Sequence, residues 1–117
     1  MSAMIGLEVN EKEIHCIFVY YLNGLYDTLN KHYRCPKKVR QLIDLGDIRE
    51  LKFNIDYTSK YCCGYDYKIY GCGSELFLRA FGYNKILFKN GTWYVNFMLH
   101  KKSKLLKDFI SPISLDG

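Results

Sequence analysis

The chain has 117 residues, 49% hydrophobic and 25% charged, a balance that suits one globular domain over its whole length and excludes a disordered polyelectrolyte. The net charge of +5 leaves room for an acidic partner, nucleic acid or an acidic protein groove, without requiring one. The first residues lack a basic start followed by an apolar run, and no apolar segment reaches the ~20 residues that span a bilayer. The expectation is therefore a cytoplasmic protein without membrane contact, a monomer or small homo-oligomer.

Aromatic content is 16%, and eleven of those residues are Tyr. Tyr joins a large apolar face to a polar tip, which suits interfaces and base stacking, and it also fits strands. The five cysteines are Cys16, Cys35, Cys62, Cys63 and Cys72, an odd number that a reducing compartment keeps as thiols. Cys62 and Cys63 are adjacent, which strains a mutual disulfide. The spacing of Cys62, Cys63 and Cys72 fits no usual zinc pattern. Buried structural thiols are expected, with no metal and no cofactor.

In chain order, residues 3–9 alternate weakly, and residues 14–21 are apolar, β-branched or aromatic almost throughout. Together they read as a β-hairpin whose second strand is buried on both faces, with His15 in it as a packed or rim residue and not a ligand. Asn23-Gly24 is a turn signal. Leu25, Leu29 and Tyr33 then fall at helical spacing. Pro36 suits the first turn of a second helix, with Val39, Leu42, Ile43 and Leu45 as its apolar stripe and Gly46 as its stop. Lys37, Lys38 and Arg40 stand near its start, where the helix dipole disfavours cations, so they are either a solvated face or candidates for contact with a partner.

Residues 51–57 alternate, with Leu51, Phe53, Ile55 and Tyr57 on one side, and predict a half-buried strand. Residues 65–70 alternate again and predict a strand that pairs back on it. Ser74 is a plausible cap for a short helix over residues 74–81. Residues 84–89 and 92–98, joined by Asn90-Gly91, predict a hairpin with a type I′ turn, Trp93 and Val95 sharing one face. From about residue 99 a basic, partly helical tail carries Lys101, Lys102, Lys104 and Lys107. The whole is an α+β domain: an antiparallel or mixed sheet of hairpins with three to four short helices packed on one face.

The order and its local words resemble a family of small proteins from phages and prophages of low-GC bacteria. That family's pattern opens IGIEN-x-DG, runs into a strand ending HWDGYP, a helix ending in Tyr, and KV-x-x-LI-x-LGDISSL. It continues with a TVAYHRDRGE segment and closes on LF-x-DG-x-WYV. The matching positions here are Ile5-Gly6-Leu7-Glu8, Ile14-His15-Cys16-Ile17-Phe18, Leu29 with Tyr33, Lys38-Val39, Leu42 to Ile48, and Leu87 to Val95. Two polar words depart: Tyr21-Leu22-Asn23-Gly24 stands where the family has HWDG, and Tyr61-Cys62-Cys63-Gly64 where it has HRDRG. The resemblance implies a mobile-element origin, and by analogy a role against host defence systems.

No catalytic constellation stands out. Asp44, Asp47 and Glu50 read as helix-end and capping residues, no elbow or oxyanion loop surrounds a cysteine, and neither G-x-G-x-x-G nor a Walker loop is present. The expectation is a protein that is not an enzyme and acts by binding: an anti-CRISPR-like inhibitor of a host defence effector that handles nucleic acid. The alternative is direct binding of nucleic acid or of a nucleotide signal. The partner is then a host defence protein or its nucleic acid. The candidate contacts are Lys37, Lys38 and Arg40 on the helix, Tyr65, Tyr67 and Tyr70 as a stacking strand, and Lys101, Lys102 and Lys104 in the tail.

Overall fold

Strand β1 (Ala3–Asn10) has a partner on each side. The computed structural model describes residues 2–60, 67–70, 73, 77–78 and 84–96. β1 pairs antiparallel with β2 (Glu13–Tyr21), Ile5 opposite Ile17, and the two are joined by a tight polar turn in which the Asn10 side chain accepts from the Lys12 N–H at 2.9 Å. On its other edge β1 runs parallel to β6 (Asn84–Lys89), Ile5 opposite Ile86. β6 returns through Asn90-Gly91 into β7 (Thr92–Asn96). Asn90 at φ 50° and Gly91 at φ 78° supply the two left-handed residues that a type I′ turn demands.

The far edge of β2 is divided. Its N-terminal half pairs antiparallel with β5 (Tyr67–Tyr70), from Glu13 to Cys16. Its C-terminal end runs parallel to β3 (Ile48–Glu50), which pairs with β4 (Ser59–Lys60). Between the two, the buried Asp47 carboxylate accepts the Phe18 N–H at 2.9 Å and so completes the ladder with a side chain. The described strands form one mixed sheet in the order β4-β3-β2-β1-β6-β7, with β5 added on β2.

Two helices make the crossover from β2 to β3. Helix α1 (Leu25–His32) buries Leu25 and Leu29, and its C-cap residue Tyr33 is buried as well. Helix α2 (Pro36–Asp44) starts on Pro36 and buries Val39, Leu42 and Ile43. Gly46, at φ 77°, takes the left-handed conformation past its end. Both helices cover the sheet face that carries Ala3, Ile5, Ile17, Val19, Ile48, Ile86, Phe88, Trp93 and Val95, and these residues form the main core. Phe88 and Trp93 meet edge to face at 4.9 Å.

Four expectations are corrected. The class is α+β with a mixed sheet, but two α-helices are found among the described residues, not three to four. Of the expected helix over residues 74–81 only Phe77 and Leu78 are described; they are helical and lie on the opposite face, against Ile14, Cys16 and Leu87. Helices therefore do not all gather on one face. The sheet needs this second cover because β1 and β2 are apolar on both sides. Contact there is close: a Cβ on Gly6 would stand 2.9 Å from the Phe77 ring.

Residues 51–57 are not a strand. The strand lies earlier, at Ile48–Glu50, and Asn54 then turns the chain by accepting the Asp56 N–H, opening a short 3-10 turn over Ile55–Tyr57. Residues 67–70 consequently pair with β2 and not with 51–57. The tail from residue 99, Ser74 and Cys62, Cys63 and Cys72 lie outside the described residues. No helix among the described residues is long and apolar enough to cross a membrane.

Candidate functional site

The loop that leaves β3 exposes two aromatic rings. Phe53 is 55% exposed and Tyr57 64% exposed. Their centroids lie 5.3 Å apart, with the His32 ring edge-on to Phe53 at 6.0 Å. Large apolar side chains held out of the core need a reason in the backbone that carries them, and here the reason is a set of hydrogen bonds.

The Tyr33 hydroxyl donates to the Lys52 carbonyl at 2.7 Å. The Lys52 N–H donates to Thr58 Oγ1 at 3.1 Å, and Thr58 Oγ1 donates to the Asn54 carbonyl at 3.1 Å. Lys38 Nζ reaches across from α2 to the Phe53 carbonyl at 3.1 Å and lies 4.5 Å from the centre of the Tyr33 ring. Tyr33 is itself fixed from the core, because the buried Trp93 Nε1–H donates to its carbonyl at 2.8 Å. Residues 52–58 are thus stitched closed around their own backbone, and the rings of Phe53 and Tyr57 are what the stitching leaves outside.

Beside the rings, a cleft of about 500 Å³ opens between the head of α2 and residues 54–56, lined by Cys35, Lys37, Lys38, Gln41, Asn54 and Asp56. The first turn of α2 contains no acidic residue, and no side-chain oxygen caps it. Cys35 holds the N-cap position. Its exposed thiol is shifted below the ordinary thiol range, first by the Lys38 N–H, then by the Lys37 N–H and by the Lys37 charge. Buried thiols were expected; Cys16 conforms, and Cys35 does not.

The predicted residues divide. Lys37 and Lys38 stand together at the cleft, Lys37 exposed and Lys38 tied to the loop. Arg40 points the other way: Nη1 donates to His15 Nδ1 at 2.9 Å, and Nε pairs with Asp44 at 3.3 Å. His15 Nε2 bonds Glu13. Both ring nitrogens of this buried imidazole are engaged, and this Glu13–His15–Arg40–Asp44 chain anchors α2 to β2. Tyr67 and Tyr70 begin and end β5. Tyr65, Lys101, Lys102 and Lys104 lie outside the described residues.

Sequence reasoning missed Phe53, Tyr57, His32 and Cys35. The signal that was present is Asn54-Ile55-Asp56, an Asx-type turn in a run otherwise read as alternating. Comparison with protein-family models, with curated proteins and with solved structures finds no match.

Proposed function

We propose that this chain acts by binding and not by catalysis: a small accessory protein of a phage or other mobile element that inhibits a host defence effector handling nucleic acid, by engaging the nucleic acid on which that effector depends. The observation that carries the reading is the exposure of Phe53 and Tyr57, on a loop closed by hydrogen bonds, beside a cationic helix head. Exposed apolar rings on such a loop suit a contact surface, because their exposure costs solubility unless a partner covers them. The sign of the charge selects the partner. A groove that handles nucleic acid is itself basic, so a chain of net charge +5 is repelled by the empty groove and attracted to its ligand.

A second form of the reading is a sponge for a nucleotide signal. The cleft at the head of α2 favours it, since about 500 Å³ is in the size range of small-ligand sites. Native mass spectrometry of the purified protein distinguishes this form by a retained nucleotide.

The test is an interference assay in cells that express the protein. Targeting of phage or plasmid is expected to fall with the wild-type chain and to recover when Phe53 and Tyr57 are both replaced by Ala, or Lys37 by Glu. Unaltered targeting across several defence types sinks the proposal.

A further inference from the structure

We infer that the Phe53–Tyr57 face takes a single-stranded nucleic acid in preference to a duplex, with bases stacked on the two rings and a backbone phosphate held by Lys37 at the head of α2. The inference rests on the nucleic-acid reading above and narrows it to one class of ligand.

The rings carry the argument. They pack against each other in tilted contact, 31° between planes with centroids 5.3 Å apart, and both are still more than half exposed. Such rings meet a ligand through their π-faces. Every unstacked base offers a matching face, whereas a duplex keeps its bases stacked on one another and shows the rings only edges and phosphates. The loop beneath them is already fixed by the Tyr33, Thr58 and Lys38 hydrogen bonds, so binding does not have to order it first.

The second half of the site is charge. Lys38 is committed to the Phe53 carbonyl, but Lys37 is exposed and makes no ion pair among the described residues. It shares the cleft with the N–H groups of the first turn of α2, which no side-chain oxygen caps and which favour an anion. Asp56 forms part of the opposite wall and keeps a phosphate to the helix side. A run of acidic side chains would satisfy Lys37 as well, yet carboxylates offer the two rings no π-face to stack on.

The experiment is fluorescence anisotropy of a labelled 15-nucleotide oligo(dT), the matching duplex and a poly-glutamate peptide, across a salt series. The single strand is expected to bind more tightly than the duplex. Phe53→Ala and Tyr57→Ala should each weaken it roughly ten-fold, and Phe53→Tyr should restore binding that Phe53→Ala loses. Lys37→Glu should flatten the salt dependence by about 0.7 or more in the slope of log K against log salt, the share of one phosphate contact. Circular dichroism identifies any variant that has failed to fold, and Phe53→Tyr keeps the test open in that case. Duplex binding equal to that of the single strand and indifferent to both rings overturns this inference alone. Ring-dependent binding of poly-glutamate overturns it in favour of a peptide groove. Absence of binding to any nucleic acid at low salt overturns the broader reading as well.

Discussion

Cys35 shows what one position in a helix can do to one side chain. As the N-cap residue of α2 it faces N–H groups that no other side chain caps, and these, with Lys37, favour the thiolate. Alkylation by iodoacetamide, followed by mass spectrometry of the modified peptides, should therefore mark Cys35 ahead of the buried Cys16. Because its pKa is lowered, the rise of the Cys35 rate with pH should come at a lower pH than for a free thiol. Lys37→Glu should move it back up. A rate profile matching that of a free thiol would contradict the placement. Part of this was legible in the chain: Pro36 after Cys35 marks a helix start, and Lys37 and Lys38 at a helix start are out of place for stability. Cys35 gave no sign of its exposure, because a thiol's burial depends on what the fold packs over it.

At the scale of the element, the segment 52–58 differs most from its sequence reading, and Tyr33 explains much of the difference. Tyr33 lies at the end of α1 yet holds the loop through its hydroxyl, while Trp93 of β7 holds Tyr33 through its carbonyl. Tyr33→Phe keeps the buried ring and removes the donor to the Lys52 carbonyl. We expect a loss of about 1 kcal/mol in urea unfolding, in line with one hydrogen bond, and more mobile Phe53 and Tyr57 rings by side-chain NMR. Unchanged stability together with unchanged ring order would show that the loop is held by other means. Elements specified by neighbours in the chain were readable: the stripe Leu25, Leu29 and Tyr33, the pair Pro36 and Gly46, and Asn90-Gly91 all fixed their structures locally. The run 51–57 was not, since its alternation fits a strand until one knows that Ile48–Glu50 already holds the place beside β2. The partner of β5 was equally hidden, because strand pairing across more than fifty residues leaves no mark on either strand (Glu13 opposite Tyr70).

For the molecule as a whole, the half-buried Tyr26 and the buried Tyr33 set a limit on the alkaline side. Burial pushes the Tyr26 phenol up to about 12 from the ordinary 10.0, and burial raises Tyr33 too, against a smaller lowering by the Thr58 hydroxyl. A group whose folded pKa is raised adds stability that is fully present below its unfolded pKa and is lost as pH climbs through the folded one. The unfolded chain thus gives up these protons near pH 10 while the folded chain keeps them, and stability should fall between about 10 and 12. Urea midpoints at pH 8, 10 and 11 check this. They should drop over the last interval, and less steeply in Tyr26→Phe. A midpoint that stays level to pH 11 would mean that Tyr26 titrates as if in water. The α+β class followed from patterning, but the face that each helix covers did not: Phe77 packs against Gly6, and glycine writes no hydrophobic signal into a strand.

The parallel union of β1 with β6 has a consequence for synthesis. Ala3 leaves the ribosome about eighty residues ahead of Asn84, which it must meet. At ~5–20 residues per second the nascent hairpin waits on the order of several seconds with one side bare. During that time it offers an open template to any other growing chain, a hazard that a dense polysome would make worse and that a holdase chaperone would relieve.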